Sequence, residues 1–151
     1  INEFYLGIIL MGYNKIFWLT GQSGAGKTTL VKGLKEKHKD FVFLDGDEMR
    51  ESISLGAGFS REERKEHNFR VVRLAMVLAR QMPVVVSVIA PMENVRKEID
   101  KLCNPYWIYI KKDMPERENH FYEEPVGYKT IDNNVNSIKE SIKELEEIVY
   151  G

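Results

Sequence analysis

The chain has 151 residues, 43% hydrophobic and 30% charged, enough apolar material for one globular core and too little for two independent domains. Lys and Arg total 22 against 23 Asp and Glu, and the net charge of −1 supplies no global field to gather nucleic acid or an anionic membrane. A single cysteine, Cys103, rules out an internal disulfide, and with no CxxC or Cys/His spacing to hold zinc the chain reads as cytoplasmic.

Residues 1–13 read as an N-terminal extension or a short edge strand, and residues 14–151 as one domain. Tyr5 to Met11 is apolar but too short to span a membrane, and it lacks the basic flank of a signal peptide. Met11-Gly12 resembles a natural start. Beyond it, short apolar runs alternate with longer periodic ones, the pattern of a β/α chain. Ile16 to Leu19 predicts a strand, followed by a Gly-rich turn and a helix over Thr28 to Lys37 with Leu30, Val31 and Leu34 on one face. Phe41 to Leu44 predicts a second strand running into Asp45-Gly46-Asp47.

Ser60, with Glu63 three residues on, is the N-cap signature of a helix that reaches about Gln81 before Pro83. Val84 to Ala90 is the strand expected when both faces are covered, and Glu93 to Cys103 the next helix. Tyr106 to Ile110 predicts another strand, and Lys111 to Pro125 is polar and aperiodic, hence a loop. Tyr128 to Ile131 and Ser137 to Tyr150 close the chain as a short strand and an amphipathic helix. Trp18 and Trp107 read as core, and His38 and Cys103 as surface positions at helix ends. The sum is an α/β fold of three layers, α/β/α, with a mostly parallel sheet of about five strands that binds ligands beyond their carboxyl ends.

Gly21-Gln22-Ser23-Gly24-Ala25-Gly26-Lys27-Thr28 matches G-x-x-x-x-G-K-[ST] between a predicted strand and a predicted helix, the context that makes a P-loop credible. Glycines let the backbone wrap a polyphosphate, and amide N–H groups at a helix start favour anionic oxygens. Lys27 would neutralise β- and γ-phosphate charge, and the Thr28 hydroxyl would ligate Mg²⁺.

This motif alone does not separate ATPases, GTPases and small-molecule kinases. In an extended strand end, Asp45 and Asp47 would point to one side, Asp45 toward the metal shell through water and Asp47 toward an acceptor hydroxyl as its base. Arg50 is placed to hold an anionic acceptor, and Phe59, in a Gly-rich loop, to stack on a base. Arg64 and Arg70 follow on the next helix near that loop, whereas Arg61, Lys65 and Arg73, interleaved with glutamates, read as a solvated face.

With these residues in place, the chain resembles the adenylylsulfate kinase family. The resemblance rests on Phe17 to Thr29, Leu44 to Arg50, Gly58-Phe59-Ser60 with Arg64, and Ile89-Ala90-Pro91 with Arg96, in order over about residues 14–110. It implies a P-loop NTPase fold and Mg-ATP-dependent phosphorylation of the 3′-hydroxyl of adenosine 5′-phosphosulfate, a small nucleotide. ATP would be held by Gly21, Ser23, Gly24, Ala25, Gly26, Lys27, Thr28 and Thr29. The acceptor would meet Asp47, Arg50, Phe59, Arg64, Asn68, Arg70 and Ile89. Family members often form homodimers.

The departures concern the acceptor. The family's Asn three residues after the arginine matching Arg64 is His67 here, with Asn68 next, so that either of the two would supply the helix contact to the acceptor, and its Ile-Ser-Pro-Tyr-Arg becomes Ile89-Ala90-Pro91-Met92-Glu93. The family's long lid shrinks to residues 111–125, where Lys111, Lys112, Arg117, His120, Phe121 and Tyr122 stand in for its cations and aromatics. A kinase of another nucleotide-like anion, such as cytidine diphosphoramidate, and a non-catalytic ATP-binding module are the competing readings.

Overall fold

Apolar residues alternate along each short strand, and in the computed structural model that alternation sorts them onto two faces of one sheet. The structure describes residues 13–115, 117–118 and 120–151, so the predicted extension over residues 1–13 lies outside it except for Tyr13. In chain order the elements are β1 (Ile16–Thr20), α1 (Lys27–Lys37), β2 (Val42–Asp45), α2 (Gly46–Glu51), α3 (Arg61–Leu78), β3 (Val84–Ser87), α4 (Glu93–Cys103), β4 (Tyr106–Lys111), β5 (Lys129–Asp132) and α5 (Ile138–Tyr150).

The strands lie in the order β2-β3-β1-β4-β5, every neighbouring pair parallel. Ile16, Trp18, Val84, Val86 and Trp107 face α3 and α4, where Val71, Val72, Ala75, Val95 and Ile99 complete one core. Phe17, Leu19, Val85, Ile108 and Ile110 face α1 and α5, meeting Leu30, Leu34, Leu145 and Val149 in the other. Burying each such side chain is worth roughly 1.5–3 kcal/mol, so the two-faced pattern drives the three-layer arrangement. Trp18 and Trp107 pack as expected, with ring centroids 5.2 Å apart.

Helix α1 leaves β1 on one face of the sheet, and α4 leaves β3 on the other. The crevice between the carboxyl ends of these adjacent strands is the place where α/β sheets bind ligands. No helix among the described residues is long and apolar enough to cross a membrane.

Three expectations are corrected. The predicted strand Val84 to Ala90 ends at Ser87, because the next carbonyls are taken by side chains: Val88 O by Trp18 Nε1 at 2.9 Å, Ile89 O by the Thr20 hydroxyl, and Ala90 O by Arg96 at 2.7 Å. Ala90 turns the chain with φ of 48°. The helix from Ser60 stops at Leu78, three residues early, in a set of turns before Pro83. Cys103 ends α4 but is buried, and burial pushes its thiol up to about 12, leaving it an inert core group.

Candidate active site

The loop after β1 is shaped by backbone that other residues would obstruct. A Cβ at Gly21 would sit 2.5 Å from the Ile110 carbonyl oxygen, and Gly26, the residue that caps α1, has φ of 104°. Lys27 opens α1 and is buried; its Nζ donates to Gly21 O at 2.6 Å and Gln22 O at 2.7 Å. Burial lowers its pKa to about 8 against the raising influence of Asp45. Asn133, after β5, braces the loop by donating to Ala25 O at 2.7 Å, and is itself held by Ser141 of α5 at 2.6 Å.

A cleft of about 630 Å³ opens along this loop. Of the predicted residues, Ser23, Gly24, Gly26, Lys27, Thr28, Thr29, Asp45, Asp47, Arg50, Phe59, Arg64, Asn68 and Ile89 line it. Gly21 and Ala25 do not; they shape the loop from behind. Arg70 is also outside the lining, paired with Glu66 at 3.7 Å.

Asp45 and Asp47 both reach the cleft, but not by the alternation of an extended strand. Helix α2 starts at Gly46, and Asp45 is its N-cap, its carboxylate accepting the Asp47 N–H at 3.2 Å. The strand pattern fails because an Asp before a short helical run satisfies the free N–H groups of the first turn, which outweighs two more residues of ladder. Asp47 therefore projects from that first turn.

The acceptor end is knit by side-chain bonds to loop carbonyls. Arg50 donates to Ala57 O and Gly58 O, each at 3.2 Å, and its guanidinium carbon lies 4.3 Å from the Phe59 ring centroid. Phe59 itself is 62% exposed at the rim. Arg64 donates through Nε to Phe59 O at 2.8 Å. The Glu63 carboxylate is held below the usual range by hydrogen bonds from the Ser60 side chain and from the Gly58 N–H, the latter at 2.6 Å, while the Glu63 N–H donates to Ser60 Oγ at 3.1 Å. Desolvation lowers both arginine pKa values, yet both remain cations at neutral pH.

Residues 112–128 cross the cleft without helix or strand among the described residues. The buried Arg96 pins this strap, donating to Glu123 O at 2.6 Å as well as to Ala90 O, and Glu123 N returns a bond to Pro91 O at 2.9 Å. Tyr122 stacks on Tyr109 and shares a 2.8 Å hydrogen bond with Thr20. Arg117 donates to Ser23 O of the phosphate loop at 2.6 Å, and Glu118 and His120 join the cleft lining.

Sequence reasoning did not identify Ser87 or Glu118 as lining residues, nor Ser54 as a partner of His67. His67, the alternative to Asn68 in the Arg64 register, and His120, which stands in for the family's lid, both line the cleft. Among the described residues no three His, Cys, Asp or Glu side chains gather as a metal cage.

Comparison with known proteins follows the same lines. Residues 13–121 match the profile of the adenylylsulphate kinase family. Over 100 residues the chain is 42% identical to the probable adenylyl-sulfate kinase of Archaeoglobus fulgidus, over 110 residues 40% identical to that of Pyrococcus abyssi, and over 106 residues 36% identical to the adenylyl-sulfate kinase of Deinococcus deserti. These alignments cover 60%, 64% and 66% of this chain, and the chain spans 64%, 63% and 59% of those relatives. A structure of the Mycobacterium tuberculosis APS kinase superposes with TM-score 0.74 at 25% identity, covering 92% of this chain and 99% of that one. The same enzyme in complex with AMPPNP and APS gives TM-score 0.78 over 92% and 99% of the two chains, at 24% identity, a likeness of fold. With the profile matched over most of the sequence, the chain belongs to the adenylylsulphate kinase family.

Proposed function

We propose that this chain transfers the γ-phosphoryl group of Mg-ATP to the 3′-hydroxyl of adenosine 5′-phosphosulfate. The observation that carries this reading is that one cleft is lined both by the phosphate loop and by Asp47, Arg50, Phe59, Arg64 and Asn68. A phosphoryl donor and a nucleotide acceptor need one shared, water-poor space, because positioning and charge stabilisation supply most of the catalysis.

In this reading the loop amides and Lys27 hold the β- and γ-phosphates, and Lys27 exchanges its bonds to Gly21 O and Gln22 O for phosphate oxygens. Thr28 and Asp45 would hold Mg²⁺. A hydroxyl and one carboxylate suit an ion that takes its other ligands from phosphates and water, and the lack of an acidic cage among the described residues agrees with that. When bound, the ion adds charge neutralisation at the phosphates.

Arg50 and Arg64 receive the acceptor's anionic group, and Phe59 offers its ring to the base. Asp47 accepts the hydroxyl proton as the hydroxyl oxygen bonds to the γ-phosphorus and the bond from that phosphorus to the β–γ bridging oxygen breaks, leaving ADP. Ala90 stands where the family's serine would be, so transfer is direct. The relatives named adenylyl-sulfate kinases support the same acceptor.

The competing acceptor, another nucleotide-like anion such as cytidine diphosphoramidate, rests on the shortened strap and on Glu93 in place of the family's arginine. ADP release from Mg-ATP is measured with each acceptor in turn, for the native chain and Asp47→Ala. Stimulation by adenosine 5′-phosphosulfate that Asp47→Ala lowers by about 10²-fold or more supports the first reading. Stimulation by the cytidine compound alone transfers it to the second, and tight ATP binding with no stimulated release makes the chain a nucleotide-binding module.

A further inference from the structure

Ser87 ends β3, the strand that lies between β1 and β2. Its Cα is in register with Leu19 on one side and with Asp45 on the other. Residues two apart along a strand share a face, so Ser87 continues the face of Val85, which packs toward α1, as Asp45 continues that of Phe43. Helix α1, on that face, begins at Lys27 and Thr28, and Asp45 is near enough to raise the Lys27 pKa against the effect of burial. Lys27, Thr28, Asp45 and Ser87 line the same cleft. A row of side chains across adjacent strand ends thus brings Ser87 beside the residues assigned to the phosphates and the metal ion.

Ser87 is 3% exposed, and its Oγ has no hydrogen-bond partner among the described residues. A buried hydroxyl with none of its bonds made is destabilising, so its place on a cleft wall points to a bond made with what the cleft holds. The acceptor's contacts lie elsewhere: α3, which carries Arg64 and Asn68, packs on the opposite face of the sheet. Phosphate oxygens already have the loop amides and Lys27, which are stronger donors than a neutral hydroxyl. The remaining candidate is water on the metal ion. Mg²⁺ keeps several waters, and each gives a lone pair to the ion and turns both protons outward, so each needs acceptors. Asp45 supplies one acceptor, and the Ser87 hydroxyl, in register on the adjacent strand, supplies a second.

We infer that Ser87 is a positioning residue for the magnesium ion of the nucleotide, its hydroxyl accepting a hydrogen bond from water that the ion retains beside Asp45. The inference rests on the reading of the cleft as a Mg-ATP site and adds the group that orients the ion's water on the β3 side. Ser87 acts through that water, without touching either nucleotide. Removing outer partners of this kind weakens metal binding by roughly 10–100-fold.

The test compares the native chain with Ser87→Ala and needs no turnover. Mn²⁺, whose free ion is counted by electron paramagnetic resonance, is titrated in place of Mg²⁺ into the protein–AMPPNP complex with protein in excess. Ser87→Ala is expected to raise the Kd for the ion by about tenfold. Calorimetry without metal should give AMPPNP affinities within about twofold of each other. The melting temperature of the ligand-free variant should be unchanged or raised, because an unpartnered hydroxyl contributes no bond to the fold. An unchanged Kd for Mn²⁺ overturns the inference and leaves the proposed reaction standing. Equal weakening of metal-free AMPPNP binding assigns the hydroxyl to a phosphate, and a lowered melting temperature assigns it to the fold; either overturns the inference. A native chain that binds no AMPPNP overturns the Mg-ATP reading and the inference with it. A raised Kd for Mn²⁺ without any phosphoryl transfer to adenosine 5′-phosphosulfate sustains the inference and overturns the reaction.

Discussion

Lys27 is buried, backed by the carbonyls of its own loop, and depressed to about 8, a cation that titrates just above neutrality. A bound polyphosphate favours the charged lysine, so binding draws in a proton wherever Lys27 has lost one. Mg-ATP affinity, measured by calorimetry, is expected to fall as pH rises through about 8, with proton uptake on binding that grows over the same range. Lys27→Arg, charged throughout, should bind with little pH dependence across that window. His67 has the opposite consequence for folding. Its pKa falls from 6.5 in the unfolded chain to about 4 in the folded one, so the unfolded state binds more protons between those values. The stability that depends on a neutral ring is present above about 6.5 and is lost as pH falls toward 4. Denaturation midpoints measured from about pH 7 to 4.5 should decline more steeply for the native chain than for His67→Asn.

Residues in one contiguous motif were legible because their chemistry is fixed locally: Lys27 and Thr28 lie where the P-loop spacing puts them. The aspartates were legible as residues but not in geometry, since the onset of α2 turns Asp45 into a cap. The Ser54–His67 pair was not legible, because a buried bond across thirteen residues forms only when α3 packs against the turn that follows α2.

At the scale of elements, Arg96 stands out for what it fastens. It is 1% exposed and donates to the carbonyls of Ala90 and Glu123, tying the end of β3 to the strap over the cleft. Arg96→Met keeps the aliphatic volume but leaves both carbonyls without their charged donor. At roughly 1.5–3 kcal/mol for each charge-assisted bond, the variant should lose about 3 kcal/mol or more. At roughly 2–4 °C per kcal/mol for a chain of this size, calorimetry should show the melting temperature lowered by about 6–12 °C. Unchanged melting would show that the strap is held by Tyr122 and its stacking on Tyr109 instead. A smaller effect is expected at the C-terminal helix. Ser137 and Glu140 form a reciprocal capping box, so Ser137→Ala should cost about 1 kcal/mol without altering nucleotide binding. The helix ends were legible from such caps, whereas the early end of β3 was not, because its ladder is interrupted by side chains from β1 and α4.

The whole molecule follows from a simple rule, that each strand buries alternate residues on opposite faces, and this is why the three layers and the parallel sheet were readable without coordinates. The strand order was not readable from periodicity, since β3 inserts between β1 and β2 by contacts distant in sequence. A ligand that binds only the folded chain must stabilise it as a unit, by about 2.7 kcal/mol at a hundredfold excess over its Kd. Mg-ATP should therefore raise the melting temperature by about 5–11 °C, and adenosine 5′-phosphosulfate with ADP should do so separately.

The claim that joins these scales is that donor and acceptor react in one cleft. Incubation with ATP labelled at the γ-phosphate and adenosine 5′-phosphosulfate, followed by chromatographic identification of the labelled products, tests it most directly. Label in 3′-phosphoadenosine 5′-phosphosulfate, absent with Asp47→Ala, is the predicted result. Label recovered only as ATP or inorganic phosphate would contradict it.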